Sequence, residues 1–271
     1  MITKQEKLKL ISKVPFWWHS IDCGDEIVTN GRKSSPLLEQ ELVNMALPDL
    51  QNKTVLDIGC WDGFFAFKAE ELGAERVVAM DDYVWSMNLA QQQKHIEEYK
   101  SSGKKPQHYH LIPRIWKPSE LPGKIGFDTV HYIKESCVEQ IVGNFMSIDP
   151  TDLGNFDIVF FLGVLYHLED PLRALKRLSL LTKNIAIIET LSIFFPEVNQ
   201  ESSSLLEFFE SDEMGNDVGN WFAPNLVALA KMLKAAGFKN IVPTSVYPPY
   251  PTQQHYSNFF HYYRLTVHAY K

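Results

Sequence analysis

Residues 55–64 read VLDIGCWDGF. The apolar run 54–58, TVLDI, is bounded by turn residues and has the length of a short buried parallel strand. Gly59 and Gly63 then bracket Cys60, Trp61 and Asp62, and residues 64–72 follow as a helix stopped by Gly73. In a doubly wound sheet, ligands sit beyond the carboxyl ends of the strands. A glycine there lets a ligand approach the backbone, because no Cβ stands in the way. The spacing is G-x-x-x-G, with Trp61 in the middle slot, and a glycine pair alone is a weak signal. The next strand, 76–80 (RVVAM), strengthens it by running into Asp81 and Asp82, with Asp81 22 residues after Gly59. A carboxylate at that strand end can accept both hydroxyls of a ribose. Strand, glycine turn, helix and acid-tipped strand together predict a nucleoside-containing cofactor.

The pattern continues on both sides. A helix is expected over 36–45 and another over 84–100. Residues 101–124, with four prolines, read as an irregular insertion. Further strands are expected over 138–142, 157–162, 184–190, 241–246 and 264–270, and helices over 127–134, 171–181 and 224–236. Residues 195–220 are acidic and turn-rich, a second insertion. Strands alternating with helices predict a Rossmann-like α/β fold with a mostly parallel sheet of seven strands. No helix separates the last two strands, so they are expected to pair antiparallel at one end of the sheet. Residues 1–35 are polar, then aromatic, then turn-rich, and are expected to form a lid, leaving 36–271 as the cofactor-binding domain.

Composition narrows the function classes. The 271 residues are 45% hydrophobic and 22% charged, as in an ordinary globular chain. The formal net charge is −7, and Lys/Arg pairs such as Arg32–Lys33 never grow into a dense basic run. That counts against a nucleic-acid surface. Cys23, Cys60 and Cys137 are too widely spaced for a disulfide framework or a zinc cluster, so free thiols and a cytoplasmic location are expected. No apolar run reaches the length needed to span a bilayer, and no membrane partner is expected. The histidines and carboxylates show no metal-ligand spacing, so no metal is expected either. Aromatic residues, at 13%, gather around 16–18, 221–222 and 247–263, either as packing or as the walls of a pocket.

The stretch VLDIGCWDGFFAF resembles motif I of the class I S-adenosylmethionine (SAM)-dependent methyltransferases, and VVAMDD resembles their second motif. FWWHSIDCGDEIVTNG, FDIVFFLGVLYHLEDPLRALKRL, IAIIETL and NWFAPNLVALAKMLKAAGFKNI are similar to one branch of that superfamily. The branch includes the tRNA wobble-uridine carboxymethyltransferases and related enzymes of small-molecule pathways. The resemblance runs from about residue 15 to 246. It implies SAM as cofactor and S-adenosylhomocysteine as product. Asp57, Gly59 and Gly63 would surround the methionine end, Cys60 and Trp61 would adjoin the cofactor in the same turn with Trp61 narrowing the entrance, and Asp81, with Asp82 beside it, would hold the ribose. Asn144 and Phe145 fall where the adenine is contacted, although many relatives carry Asp at the place of Asn144. Leu162, Gly163 and Tyr166 would face the sulfonium and the acceptor.

Methyl transfer to a hydroxyl or an ammonium needs an aligned acceptor and a group that takes its proton. His19 and His167 are the candidate bases, because imidazole titrates near neutrality, and Tyr166 completes the catalytic set. Each also has a purely structural reading, His167 as a turn residue and His19 as part of the lid. Trp18, Glu189 and Trp221 are candidate substrate contacts. The expected activity is methylation of an O or N atom of a small molecule. The alternatives are a tRNA wobble-uridine enzyme using SAM or its carboxylated form, and a non-catalytic SAM-binding protein. Seven acids and no Lys or Arg in 195–220, and the absence of the long N-terminal extension of the tRNA enzymes, make tRNA the less favoured partner.

Overall fold

The computed structural model describes residues 2–102, 107–195, 202–245 and 261–271. The chain divides into two compact units, residues 1–43 with 47–147, and residues 44–46 with 148–271. The sheet has seven strands and is mostly parallel, as the sequence pattern predicts.

The first unit opens with α1 (Lys4–Ile11), followed by α2 (Ser35–Met45), β1 (Thr54–Ile58), α3 (Phe64–Glu71), β2 (Arg76–Asp81), α4 (Leu89–Ser102), α5 (Ile125–Lys134) and β3 (Glu139–Val142). The sequence pattern passes over α1, whose eight residues bury none of their side chains. Its end is set locally: the Thr3 hydroxyl and the Glu6 carboxylate close a capping box. β1 pairs parallel with β2, and β2 with β3, in a register that opposes Asp57 to Ala79 and Asp81 to Val142. Val55, Leu56, Val78 and Ala79 are fully buried, as expected for strands covered on both faces.

The helix expected over 84–100 begins only at Leu89. Residues 82–88 are held in a turn instead, because Val84 N–H donates to Asp81 Oδ1 at 3.0 Å and Trp85 Nε1–H to the Trp61 carbonyl at 2.7 Å. Part of the proline-rich insertion is ordered by packing. Tyr109, Ile112 and Ile115 bury against Met87 and Leu89, with Phe16, Trp61 and Trp116 at the margin.

The second unit contains α6 (Pro150–Leu153), β4 (Phe156–Leu162), α7 (Pro171–Leu181), β5 (Thr182–Phe194), β6 (Leu206–Phe208), β7 (Phe222–Pro224), α8 (Leu226–Ala235), β8 (Asn240–Pro243) and β9 (His261–Tyr270). β4 and β5 are parallel, whereas β9 runs antiparallel to both β5 and β8. The pairing of the last two strands therefore follows expectation. β5 extends to Phe194, beyond the expected 190, because β9 pairs with it from Tyr270 back to His261. The second insertion is not wholly irregular: β6 and β7 form a hairpin that buries Phe209, Met214 and Ala223 against Leu191, Ile193 and Tyr262. Residue 246 and the aromatic stretch 247–256 lie outside the described residues. Among the described residues no helix is long and apolar enough to cross a membrane.

Candidate functional site

The turn after β1 is built by two glycines with different reasons. Gly59 has φ +76° and is exposed, with its N–H on the Met80 carbonyl at 2.8 Å. Gly63 has φ +85° and is buried, and a Cβ on it would lie 2.6 Å from Phe67 Cε2 and 2.7 Å from Phe127 Cδ2. Its lack of a side chain serves helix packing. Trp61 also sits in the left-handed region, at φ +52°, a strained conformation for a bulky residue. Asp81 Oδ2 holds it there by accepting the Trp61 N–H at 3.0 Å.

Three buried carboxylates gather in this unit: Asp57, Asp62 and Asp81, exposed by 2, 2 and 5%. Burial, and then the neighbouring Asp81, push the Asp57 pKa up to about 7. Burial raises Asp81 to about 6, against the pull of backbone N–H donors from Trp61, Val84, Trp85 and Asp82. Asp57 Oδ2 is buried with no hydrogen-bond partner among the described residues. Such an oxygen calls for a donor, and a cationic one above all. Cys60 is buried beside these acids, which drives its thiol far from ionisation. Asp82 receives the Ser86 hydroxyl at 3.4 Å.

Asp62 was not among the expected site residues, and it organises the amino-terminal segment. Its Oδ2 accepts the N–H groups of Trp18 at 3.0 Å and His19 at 2.9 Å, and its Oδ1 meets His19 Nδ1. The ring of His19 stacks on Phe64 with centroids 5.5 Å apart, and Trp18 lies nearly parallel to Trp61 at 4.6 Å. Gly31 presses against this segment, since a Cβ there would come within 2.1 Å of the His19 carbonyl carbon. The signal available in the sequence was an acid inside the glycine turn with no partner in sequence, which a reading centred on the glycines passes over. On the far side of β2, Phe145 is buried and Asn144 is exposed, and the Asn144 Oδ1 accepts the Met146 N–H at 2.8 Å. Its amide oxygen is thus engaged in a local turn.

The second unit has its own cluster at the end of β4. Leu162 is opposite Glu189 in register, and Gly163, at φ +74°, donates its N–H to the Glu189 carbonyl at 2.9 Å. Arg264 Nη2 donates to the Tyr166 hydroxyl at 2.9 Å, its guanidinium lies 4.8 Å over the Tyr166 ring, and its Nε meets Glu189 Oε1 at 2.7 Å. Burial raises the Tyr166 pKa, so the phenol stays protonated at neutral pH. His167 Nδ1 donates to the Gly219 carbonyl at 2.8 Å, which leaves Nε2 as the acceptor of a neutral ring. Burial holds its pKa below the usual imidazole value, against the nearby Asp217. Trp221 N–H donates to the Tyr166 carbonyl at 2.8 Å, so the acidic hairpin packs onto this turn. Tyr166, His167, Glu189 and Trp221 are thus brought together in one unit, and Trp18 and His19 adjoin the glycine turn in the other.

A parallel sheet with a glycine turn after its first strand and a buried acid at the tip of its second defines an α/β enzyme built around a nucleoside cofactor. A family described as "Methyltransferase domain" matches residues 32–242, and the chain belongs to it as a class I SAM-dependent methyltransferase. It is 30% identical over 197 residues to a "tRNA U34 carboxymethyltransferase" of Shewanella woodyi, covering 72% of this chain and 46% of that protein. It is 27% identical over 225 residues to the protein of that name from Helicobacter pylori, covering 82% and 69%. The chain spans about half the length of several of the curated relatives it matches. The fold is that of the N-terminal domain of EvdMO1 with SAH bound, at a TM-score of 0.61 and 14% identity, covering 100% of this chain and 98% of that one.

Proposed function

We propose that this enzyme methylates an oxygen or nitrogen atom of a small polar or cationic molecule. The observation that carries the reading is the acidic hairpin. Residues 202–222 include Glu207, Glu210, Asp212, Glu213 and Asp217 and no Lys or Arg. The hairpin is joined to Tyr166 and His167 by hydrogen bonds of 2.8 Å, so its charge acts within the Debye length of about 8–10 Å. A field of that sign concentrates cations and disfavours a polyphosphate backbone.

The residues of the first unit fit the cofactor. Bound SAM supplies a methyl group on a sulfonium, which makes transfer a single displacement. In this reading Asp57, with its unpartnered oxygen, takes the cofactor's ammonium, Gly59 offers its backbone, and Asp81 takes the ribose. Phe145 packs beside the adenine. Residues 1–35 act as a lid that presents Trp18 and His19, and Tyr166, His167 and Trp221 serve the acceptor. The test is release of S-adenosylhomocysteine from SAM with panels of small amines and alcohols, set beside a gel shift with bulk tRNA at low salt. Turnover with a small acceptor and weak tRNA binding are expected. Tight, salt-sensitive tRNA binding, or methylated tRNA, would overturn the reading.

A second reading, tRNA carboxymethylation, is favoured by the relatives' names and by Arg264. That guanidinium stands beside Tyr166, where a carboxylated cofactor needs a cation, although Glu189 already pairs with it. Mass spectrometry of the cofactor that co-purifies separates the two readings.

A further inference from the structure

The carboxylate inside the glycine turn has more contacts with the amino-terminal segment than a turn residue requires. Asp62 is 2% exposed and His19 5%. Three N–H groups converge on it, the backbone donors of Trp18 and His19 and the ring Nδ1 of His19. An ionised carboxylate can only accept, so the His19 nitrogen that faces it carries the hydrogen. The other nitrogen, Nε2, has no hydrogen-bond partner among the described residues, and 6% of the side chain remains exposed. Phe64 stacked on the ring and Phe65 edge-on to it at 5.6 Å fix its plane. Thr29 fixes the backbone by donating its hydroxyl to the His19 carbonyl at 2.8 Å.

We infer that Asp62 is a positioning residue, which locks His19 in its Nδ1–H tautomer and so presents Nε2 as the proton acceptor of the transfer. The inference deepens the proposed function and rests on its placing of His19 at the site. In the balanced step, the acceptor's O–H or N–H proton passes to Nε2, the methyl group takes its place on the acceptor, and S-adenosylhomocysteine leaves. The imidazolium formed is buried, and the carboxylate of Asp62 offsets its charge at direct contact. A structural clamp alone needs only the two backbone N–H groups. The ring contact is the part that a clamp leaves unexplained.

The test reads the tautomer directly. In protein labelled with ¹⁵N-histidine, with S-adenosylhomocysteine added, long-range proton–nitrogen spectra should show His19 Nδ1 protonated and Nε2 bare. The His19→Gln variant assigns the signal. Asp62→Asn keeps an oxygen for the backbone donors but turns an NH₂ toward Nδ1, which should reverse the pattern. Diethyl pyrocarbonate acylates the bare nitrogen, so modification of the His19 peptide should fall about tenfold in that variant. Neither measurement needs an acceptor, so both stand apart from the small-molecule reading. With an acceptor in hand, Asp62→Asn should lower kcat at least about 100-fold with KM changed less than about threefold, the scale of one lost proton transfer. An Nε2–H tautomer in the wild-type spectrum would overturn the inference even if no variant folds. So would unchanged kcat in Asp62→Asn beside a reversed tautomer, while full kcat in His19→Gln would remove His19 itself from the chemistry.

Discussion

Replacing Asp57 by asparagine should remove one large contribution to the pH dependence of the protein's stability, and the structure gives the size of the effect. Burial and the neighbouring Asp81 carry the Asp57 pKa from the ordinary 3.8 to about 7. Between those values the folded chain holds a proton that the unfolded chain has released. The contribution to stability is therefore complete below about pH 4 and is lost as pH rises through 7. At 1.36 kcal/mol per pH unit, a span of about three units gives about 4 kcal/mol. The asparagine has no charge to bury, and its oxygen can keep the Ala66 N–H that Asp57 accepts. Its absolute stability also contains the cost of a buried, unpartnered NH₂, about 1–3 kcal/mol. The informative quantity is thus the difference between variant and wild type as a function of pH. Urea unfolding of cofactor-free protein at pH 4, 6 and 8 should show that difference growing with pH by about 4 kcal/mol in favour of the Asp57→Asn variant. At an m-value of about 3 kcal/mol per molar urea, this is a midpoint shift of about 1.3 M. The same variant should bind SAM more weakly at pH 8, because the stored charge is what draws the cation. A constant difference across the pH range would refute the account of Asp57 as a buried acid held for a cationic ligand.

Asp81→Ala should reduce SAM affinity at least about tenfold by calorimetry, since it removes a charge-assisted acceptor and frees the N–H groups of Trp61 and Val84. Unchanged affinity in a folded variant would take Asp81 out of the cofactor site. Gly63→Ala should lose about 2–4 kcal/mol in denaturant titration, because its Cβ meets Phe67 and Phe127 at 2.6 and 2.7 Å on a backbone at φ +85°. A loss below about 1 kcal/mol would show that the two rings move aside.

The part of the fold that repeats was legible in the sequence. The β1 turn, the acid at the end of β2 and the antiparallel last strands all follow from runs of residues whose spacing expresses their burial. What escaped the reading depends on partners far apart in the chain. α1 buries nothing, so it leaves no apolar period to find. The late start of α4 comes from Asp81 and Trp61 capturing residues 84–85. The hairpin of β6 and β7 hides its three-residue strands among acids, and the buried apolar residues of the segment between them, Phe209, Met214 and Val218, are four or five apart. In the candidate site, glycine spacing located the turn but not the difference in burial between exposed Gly59 and ring-packed Gly63. Asp62 was missed because its partners lie 43 and 44 residues upstream. The Asn144 oxygen also accepts the N–H of Met146, a local turn that the residue's place after β3 does not announce.

The two indoles of Trp18 and Trp61, 4.6 Å apart and 8° from parallel, make the docking of the amino-terminal segment visible to light. Facing rings at that distance share their electronic transitions, and separated rings do not. The near-ultraviolet circular dichroism of the protein therefore carries a signal for one specific event, the seating of residues 16–18 on the glycine turn. Trp61→Phe supplies the blank. Stopped-flow spectra could then time that seating against cofactor arrival without any label attached to the chain.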